Sequence, residues 1–187
     1  GTIRQVGPTF ADGTFQTLPY APVKNGARDF FETGNTVQNT FYLSGGSDTG
    51  SLYLSVGNQE TEGIVPNDSY KRTTVKANAT KTMGNFEIAA NTSFFRDATN
   101  EVGPNLGSQN RALYWFILNQ SANIPIANYK DWRNDQYASP DGYYNGYYQN
   151  PYYMVDTSRD TDKTTRMSGN ISASWDNAGG SGYYYPL

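Results

Sequence analysis

An all-β chain of antiparallel strands is the fold this sequence predicts, and three observations carry the prediction. Apolar residues recur at every second position in several separate stretches, which is the period of a strand with one apolar face. Glycine, asparagine and aspartate cluster between those stretches, where tight turns need them. The longest apolar run, Ala112-Leu113-Tyr114-Trp115-Phe116-Ile117-Leu118, falls far short of the roughly 20 apolar residues that a membrane-spanning helix requires.

Residues 1–35 are rich in Gly, Pro and Thr and read as an irregular lead-in or loop, with turn signals at Gly7-Pro8, Asp12-Gly13 and Asn25-Gly26. About four strands are expected over residues 36–96. The first, near 37–44, sets Phe41 and Leu43 against Thr40, Tyr42 and Ser44, and a short turn leads to a second that opposes Leu52, Leu54 and Val56 to Ser51, Tyr53 and Ser55. A third places Val75, Ala77 and Ala79 opposite Thr74, Lys76, Asn78 and Thr80. Met83-Gly84-Asn85 then turns the chain into a fourth, with Phe86, Ile88, Ala90 and Phe94 on one side and Glu87, Asn91 and Ser93 on the other. A long loop is expected over residues 97–164, in which 112–119 reads equally well as a short helix or a buried strand. One more strand follows at 165–176, with Met167, Ile171, Ala173 and Trp175 on its apolar side. Residues 177–187 form an atypical tail.

These strands have little to build a core from. Leu, Ile, Val and Phe are sparse and the mean hydropathy is -0.70, yet a net charge of only -3 and an aromatic content of 15% do not fit a disordered chain. Another solvent or another chain is expected to complete the fold. Strands near the roughly 10 residues that cross an outer membrane, with short turns after the first and third and longer links after the second and fourth, have the layout of an outer-membrane β-barrel wall whose long loops face outside. A soluble β-sandwich has no comparable reason to segregate its loops.

The chain contains no His and no Cys, which removes the Ser-His-Asp triad, thiol chemistry and the common zinc sites. Its fourteen Lys and Arg are scattered and form no basic stripe for nucleic acid. Asp160 and Asp162 have the alternate spacing of some calcium loops but lack the glycine and distal glutamate of an EF-hand. No catalytic residue, metal site or cofactor is expected.

Several short motifs, taken in order, resemble one family. They are Val6-Gly7-Pro8 with Asp12-Gly13, Asp29-Phe30-Phe31-Glu32-Thr33-Gly34, Leu43-Ser44-Gly45-Gly46-Ser47, Glu62-Gly63-Ile64-Val65-Pro66-Asn67, Tyr70-Lys71-Arg72-Thr73, Asn150-Pro151-Tyr152-Tyr153 and Arg166-Met167-Ser168-Gly169-Asn170. In sequence and spacing they resemble the SusC/RagA-like TonB-dependent outer-membrane transporters of the Bacteroidetes. The resemblance covers residues 6–176. It implies a segment of early barrel strands and extracellular loops from a longer parent that closes with about 22 strands. It also implies import of oligosaccharides or oligopeptides across the outer membrane, energy from TonB through a plug absent from these residues, and a SusD-like surface lipoprotein as partner.

The candidate site residues are aromatic. Tyr143, Tyr144, Tyr147, Tyr148, Tyr152 and Tyr153 lie in the long loop, and their flat rings and hydroxyls suit stacking on sugars or gripping peptides. The competing reading packs them within the loop or against the lipoprotein. Phe30, Phe31, Phe94 and Phe95 are candidates for the aromatic girdle where a barrel meets the lipid head groups; ordinary packing at strand ends is the other reading. The alternative for the whole chain is a secreted β-sandwich that binds glycans through exposed tyrosines.

Overall fold

The computed structural model describes residues 2–103 and 111–176, together with the backbone of 183–186. In chain order its strands are β1 (Ile3–Thr9), β2 (Phe15–Pro19), β3 (Asn35–Ser47), β4 (Gly50–Glu62), β5 (Ser69–Met83), β6 (Phe86–Val102), β7 (Arg159–Trp175) and β8 (Tyr183–Pro186). Two short helices, α1 (Leu113–Leu118) and α2 (Pro151–Thr157), lie between β6 and β7, and 3-10 turns occupy Gly26–Phe30 and Ile126–Tyr129. The chain divides into two compact units, one made of residues 1–35, 62–69 and 100–161 and the other of residues 36–61, 70–99 and 162–187.

The second unit is a sheet of predominantly antiparallel strands, in the order β3-β4-β5-β6-β7-β8, so that each strand pairs with its neighbour in sequence. Tight turns at Asp48-Thr49 and Gly84-Asn85 join β3 to β4 and β5 to β6. Gly84 has φ +61°, a left-handed conformation that glycine adopts without steric cost. The strands run longer than the alternation of apolar residues predicts. β6 continues through Asp97-Ala98-Thr99-Asn100-Glu101, and β7 begins at Arg159, because a backbone ladder needs no apolar side chain to propagate. The long connection therefore occupies residues 103–158, and Asp160 and Asp162 belong to a strand instead of a loop.

The two faces of the sheet differ in composition. Phe41 is 76% exposed and Met167 73%; Leu43, Leu52, Leu54, Val56, Ile171 and Trp175 are also open on the apolar side. The central Val75, Ala77, Phe86, Ile88, Ala90 and Phe94 are half-buried. The opposite side carries Thr40, Ser55, Thr74, Lys76, Asn78, Asn91, Ser168 and Asn170. Among the described residues, every buried apolar side chain of the core lies in the other unit.

That other unit corrects one expectation and decides between the two readings of another. Residues 3–19 form an antiparallel hairpin, β1 with β2, where an irregular lead-in was expected. Asp12 closes its turn by accepting hydrogen bonds from the Thr14 amide at 2.9 Å and the Thr14 hydroxyl at 2.7 Å. Gly7, which reads as a breaker, has φ +77° at the register shift between Val6 and Thr9, so the strand carries a bulge there without ending. The apolar run at 112–119 is a helix, α1, which buries Leu113, Phe116 and Ile117. These pack with Phe30, Val65, Ile126, Tyr152, Met154 and Val155 in one cluster, and Ile124, Tyr129, Ala138 and Tyr143 form a second. In the tail, β8 pairs with residues 172–175 of β7; the remaining tail residues, 177–182 and 187, lie outside the described residues.

Candidate functional site

The tyrosine segment is organised by one buried asparagine. Asn150 is fully buried and caps α2 by accepting a hydrogen bond from the Tyr152 amide at 2.9 Å, while Pro151 fills the first helical position. Its Nδ2 donates to the carbonyls of Tyr129 at 2.8 Å and Ala138 at 2.6 Å. Three chain segments are thus held by one carboxamide, and the tyrosines on either side are fixed by it.

Most of the six candidate tyrosines are turned into the unit. Tyr143 and Tyr152 are buried, Tyr144, Tyr148 and Tyr153 are half-buried, and Tyr147, 46% exposed, is the one open to solvent. They pack on aromatic neighbours. Tyr148 stacks on Trp115 at 5.6 Å and on Tyr144 at 5.7 Å; Tyr143 meets Tyr129 edge-on at 5.0 Å, and Tyr153 meets Trp132 in the same way at 5.0 Å. Arg111 covers the outer face of this stack, 4.0 Å from the Trp115 ring centre. Such offset and edge contacts are the preferred aromatic geometries.

The hydroxyls follow the same logic. Tyr143 donates to Gln120 Oε1 at 3.1 Å, and Tyr129 donates to Gln16 Oε1 at 2.7 Å. Burial pushes Tyr143 well above the usual phenol range, and pushes Tyr129 and Tyr144 up to about 12, because the phenolate would be poorly solvated. The buried Tyr144 hydroxyl has no partner in hydrogen-bond geometry, although the backbone of Ser121 restrains the rise. All of these groups are neutral at physiological pH. They offer hydrogen bonds and ring surface, without an ionised base.

A second cluster, not foreseen from the sequence, ties α2 to the 63–68 link. The Asp156 carboxylate accepts from Asn67 Nδ2, Trp132 Nε1 and Arg133, each at 2.8 Å. Arg159, shielded from solvent, pairs with Asp68 at 2.9 Å and donates to the Asn67 carbonyl at 2.8 Å and to Asn100 Oδ1 at 3.0 Å. Partial burial alone would raise the Asp156 carboxyl, but the Trp132, Arg133 and Asn67 hydrogen bonds and the Arg133 charge outweigh it and hold the group below the ordinary value of 3.8. A carboxyl whose folded pKa is depressed adds stability above its unfolded pKa and loses it as pH falls through the folded one. Acid titration of the Trp132 environment by fluorescence should therefore report loosening at pH values below 3.8. Asp156→Asn should remove that transition; an unchanged acid midpoint in the variant would contradict this assignment.

The four candidate girdle phenylalanines have unlike surroundings. Phe30, 1% exposed, is a core residue between Phe31 and Tyr152, so it cannot present a ring to head groups. Phe31 stacks on Tyr114 at 5.8 Å. Phe94 and Phe95, successive residues of β6, point to opposite sides of the sheet. Phe95 lies on the polar side, with the guanidinium of Arg72 4.7 Å and that of Arg166 5.6 Å from its ring centre.

That polar side holds the other candidate site. A depression on it is lined by the hydroxyls of Thr40, Ser55 and Thr74, the carboxamides of Gln38 and Gln59, and the cationic chains of Arg72 and Lys76. Gly57 forms part of its floor, where a Cβ would come within 3.3 Å of Thr40 Oγ1. A second depression nearby, which shares Lys76, is lined by Asn78, Asn91, Ser93, Ser168 and Asn170. The signal for these residues was present in the sequence, since Arg72, Thr74, Lys76 and Asn78 share one face by strict alternation. No protein-family model matches the chain, and no curated protein matches it at a significant level.

Proposed function

We propose that this chain is a stretch of the wall and loops of a TonB-dependent outer-membrane transporter of the SusC/RagA-like kind, which imports oligosaccharides or oligopeptides together with a SusD-like surface lipoprotein. One observation carries the reading. The sheet of β3 to β8 keeps Phe41, Leu43, Leu52, Leu54, Ile171 and Trp175 exposed on one side, while hydroxyls and amides occupy the other. A β-sandwich would bury the apolar side against a second sheet, and among the described residues no second sheet belongs to this unit. Lipid is the solvent in which such a side is stable, and a barrel of sequentially paired strands satisfies the backbone at the same time. No helix among the described residues is long and apolar enough to cross a membrane, which leaves crossing by strands unaffected.

On this reading the polar side is wetted by a lumen or meets a plug, and the 103–158 connection is extracellular. The packed tyrosines then serve chiefly to shape that loop, leaving Tyr147 as the member placed to touch a substrate or the lipoprotein. The expected cellular location is the outer membrane.

Fractionation of the native source tests the reading. The polypeptide that carries these residues should be several times the 20.7 kDa of this chain and should leave the membrane only with detergent. A detergent-free, monodisperse product of 20.7 kDa would overturn it in favour of a small binding domain.

A further inference from the structure

The geometry points to an anion-selective saccharide site on the polar face of the sheet, formed by Arg72 and Lys76 and flanked by Arg166, whose ligand is an oligosaccharide bearing acidic groups. This inference deepens the transporter reading and rests on it in one respect, that the polar face is wetted.

Charge is the first argument. The chain is acidic overall, with seventeen Asp and Glu against fourteen Lys and Arg, yet the larger depression is lined by two cations and no carboxylate. Among the described residues, Lys71, Lys130, Arg133 and Arg159 each have a carboxylate partner; Arg72, Lys76 and Arg166 are among the larger number of cations without one, and what sets them apart is that they share the polar face of the sheet. The pairing of Lys71 with Glu60 at 3.6 Å shows that adjacent positions of β5 differ: the cation on one side of the strand is compensated, and those on the other are not.

Convergence is the second. Arg72 of β5 and Arg166 of β7 both lie over the ring of Phe95 on the strand between them. The ring face attracts each cation, but it bears no net charge and cannot neutralise two. Asp97, two positions along β6 on the same side, brings one carboxylate that makes no ion pair with either guanidinium; with Lys76 the three cations outnumber it and leave a positive potential that an anion relieves. A guanidinium held by its face to a ring still presents its N–H edge, the part that binds a carboxylate or sulfate in a bidentate fork.

The remaining lining identifies the rest of the ligand. Thr40, Ser55 and Thr74 supply hydroxyls, and Gln38 and Gln59 supply carboxamides that both donate and accept. That set matches the paired donor and acceptor character of sugar hydroxyls and is poorly suited to an apolar molecule. An acidic sugar chain fits both parts, its charged group on Arg72 and Lys76 and its neutral hydroxyls on the surrounding side chains.

Isothermal titration of the complete detergent-solubilised polypeptide with tetragalacturonate and with neutral maltotetraose tests this. The acidic ligand should bind more tightly, its affinity should fall as salt is raised, and Arg72→Gln with Lys76→Gln should weaken it about ten- to a hundredfold while leaving maltotetraose unchanged. Lys76→Gln alone, at an exposed position, should give part of the loss with an unaltered melting temperature. Equal binding of the two sugars, or acidic binding indifferent to the double variant, overturns the inference. So does a fall in melting temperature in the double variant when the parent binds neither sugar, since the cations would then serve an acidic segment of the protein itself. A soluble parent that still binds tetragalacturonate through Arg72 and Lys76 would keep this site and discard the transporter reading, so the two fail separately.

Discussion

Replacing Asn150 should be among the most damaging single changes available in the loop unit: Asn150→Ala is expected to cost about 3–5 kcal/mol of that unit's stability. Three hydrogen bonds go at once. The carbonyls of Tyr129 and Ala138 lose their shared donor, and the amide of Tyr152 loses its acceptor, all at a position with no solvent access. Each buried group left unpaired costs about 1–3 kcal/mol, and loss of the helix cap is included in that cost. Asn150→Asp separates the contributions. An aspartate keeps the capping acceptor but turns an oxygen toward two carbonyl oxygens, so it should destabilise at least as much as alanine despite its near-identical shape. Hydrogen exchange at the Tyr152, Met154 and Val155 amides, with urea unfolding followed by Trp132 fluorescence, would measure both. An Asn150→Asp protein as stable as the parent would show that the two donor bonds carry little.

The same residue shows what was legible in the chain and what was not. Asn150-Pro151 is read from sequence only as part of a family motif, although a cap and a fixed φ are local properties that mark a helix start. Its second task, joining the 126–129 turn to the segment around Ala138, depends on which carbonyls the fold delivers to it, and no local pattern encodes that. The tyrosines divide in the same way. Their number marked an aromatic surface, but whether Tyr143 faces solvent or Tyr129 is decided by packing across residues 14 apart in sequence. Strands were the most legible elements, since alternation placed β3 to β7 and assigned each side chain to a face. Their ends were less so, because β6 and β7 continue through polar residues on backbone hydrogen bonds alone. The β1/β2 hairpin was hidden by Gly7-Pro8, which has the composition of a turn but here accommodates a bulge. Arg72 and Lys76 could be placed on the polar face by parity. Their convergence with Arg166 on Phe95 depends on the register of three strands, which lies beyond what alternation specifies.

Parity also gives the sharpest test of which solvent each face meets. Asn170 and Ile171 are adjacent in β7 and point to opposite sides, Asn170 beside the second polar depression and Ile171 exposed on the apolar side. Arginine at each position should have opposite consequences if the apolar side faces lipid. Ile171→Arg places a charge in hydrocarbon, at a cost of about 2–4 kcal/mol near the bilayer midplane, and should lower the amount of assembled, heat-resistant protein recovered from membranes. Asn170→Arg adds a solvated cation to a wet face and should leave assembly near the parent level. A soluble sheet with both faces in water predicts something different, since Ile171 is already 58% exposed and an exposed substitution there would alter stability by only about 0.5 kcal/mol. Ile171→Arg would then be harmless or would improve solubility by breaking an apolar patch. The comparison is internal, with neighbouring residues, the same introduced side chain and the same backbone pairing, so strand propensity and expression effects largely cancel. A difference in assembly between the two variants would come from the face alone, and equal behaviour would remove the physical basis for placing this sheet in a membrane.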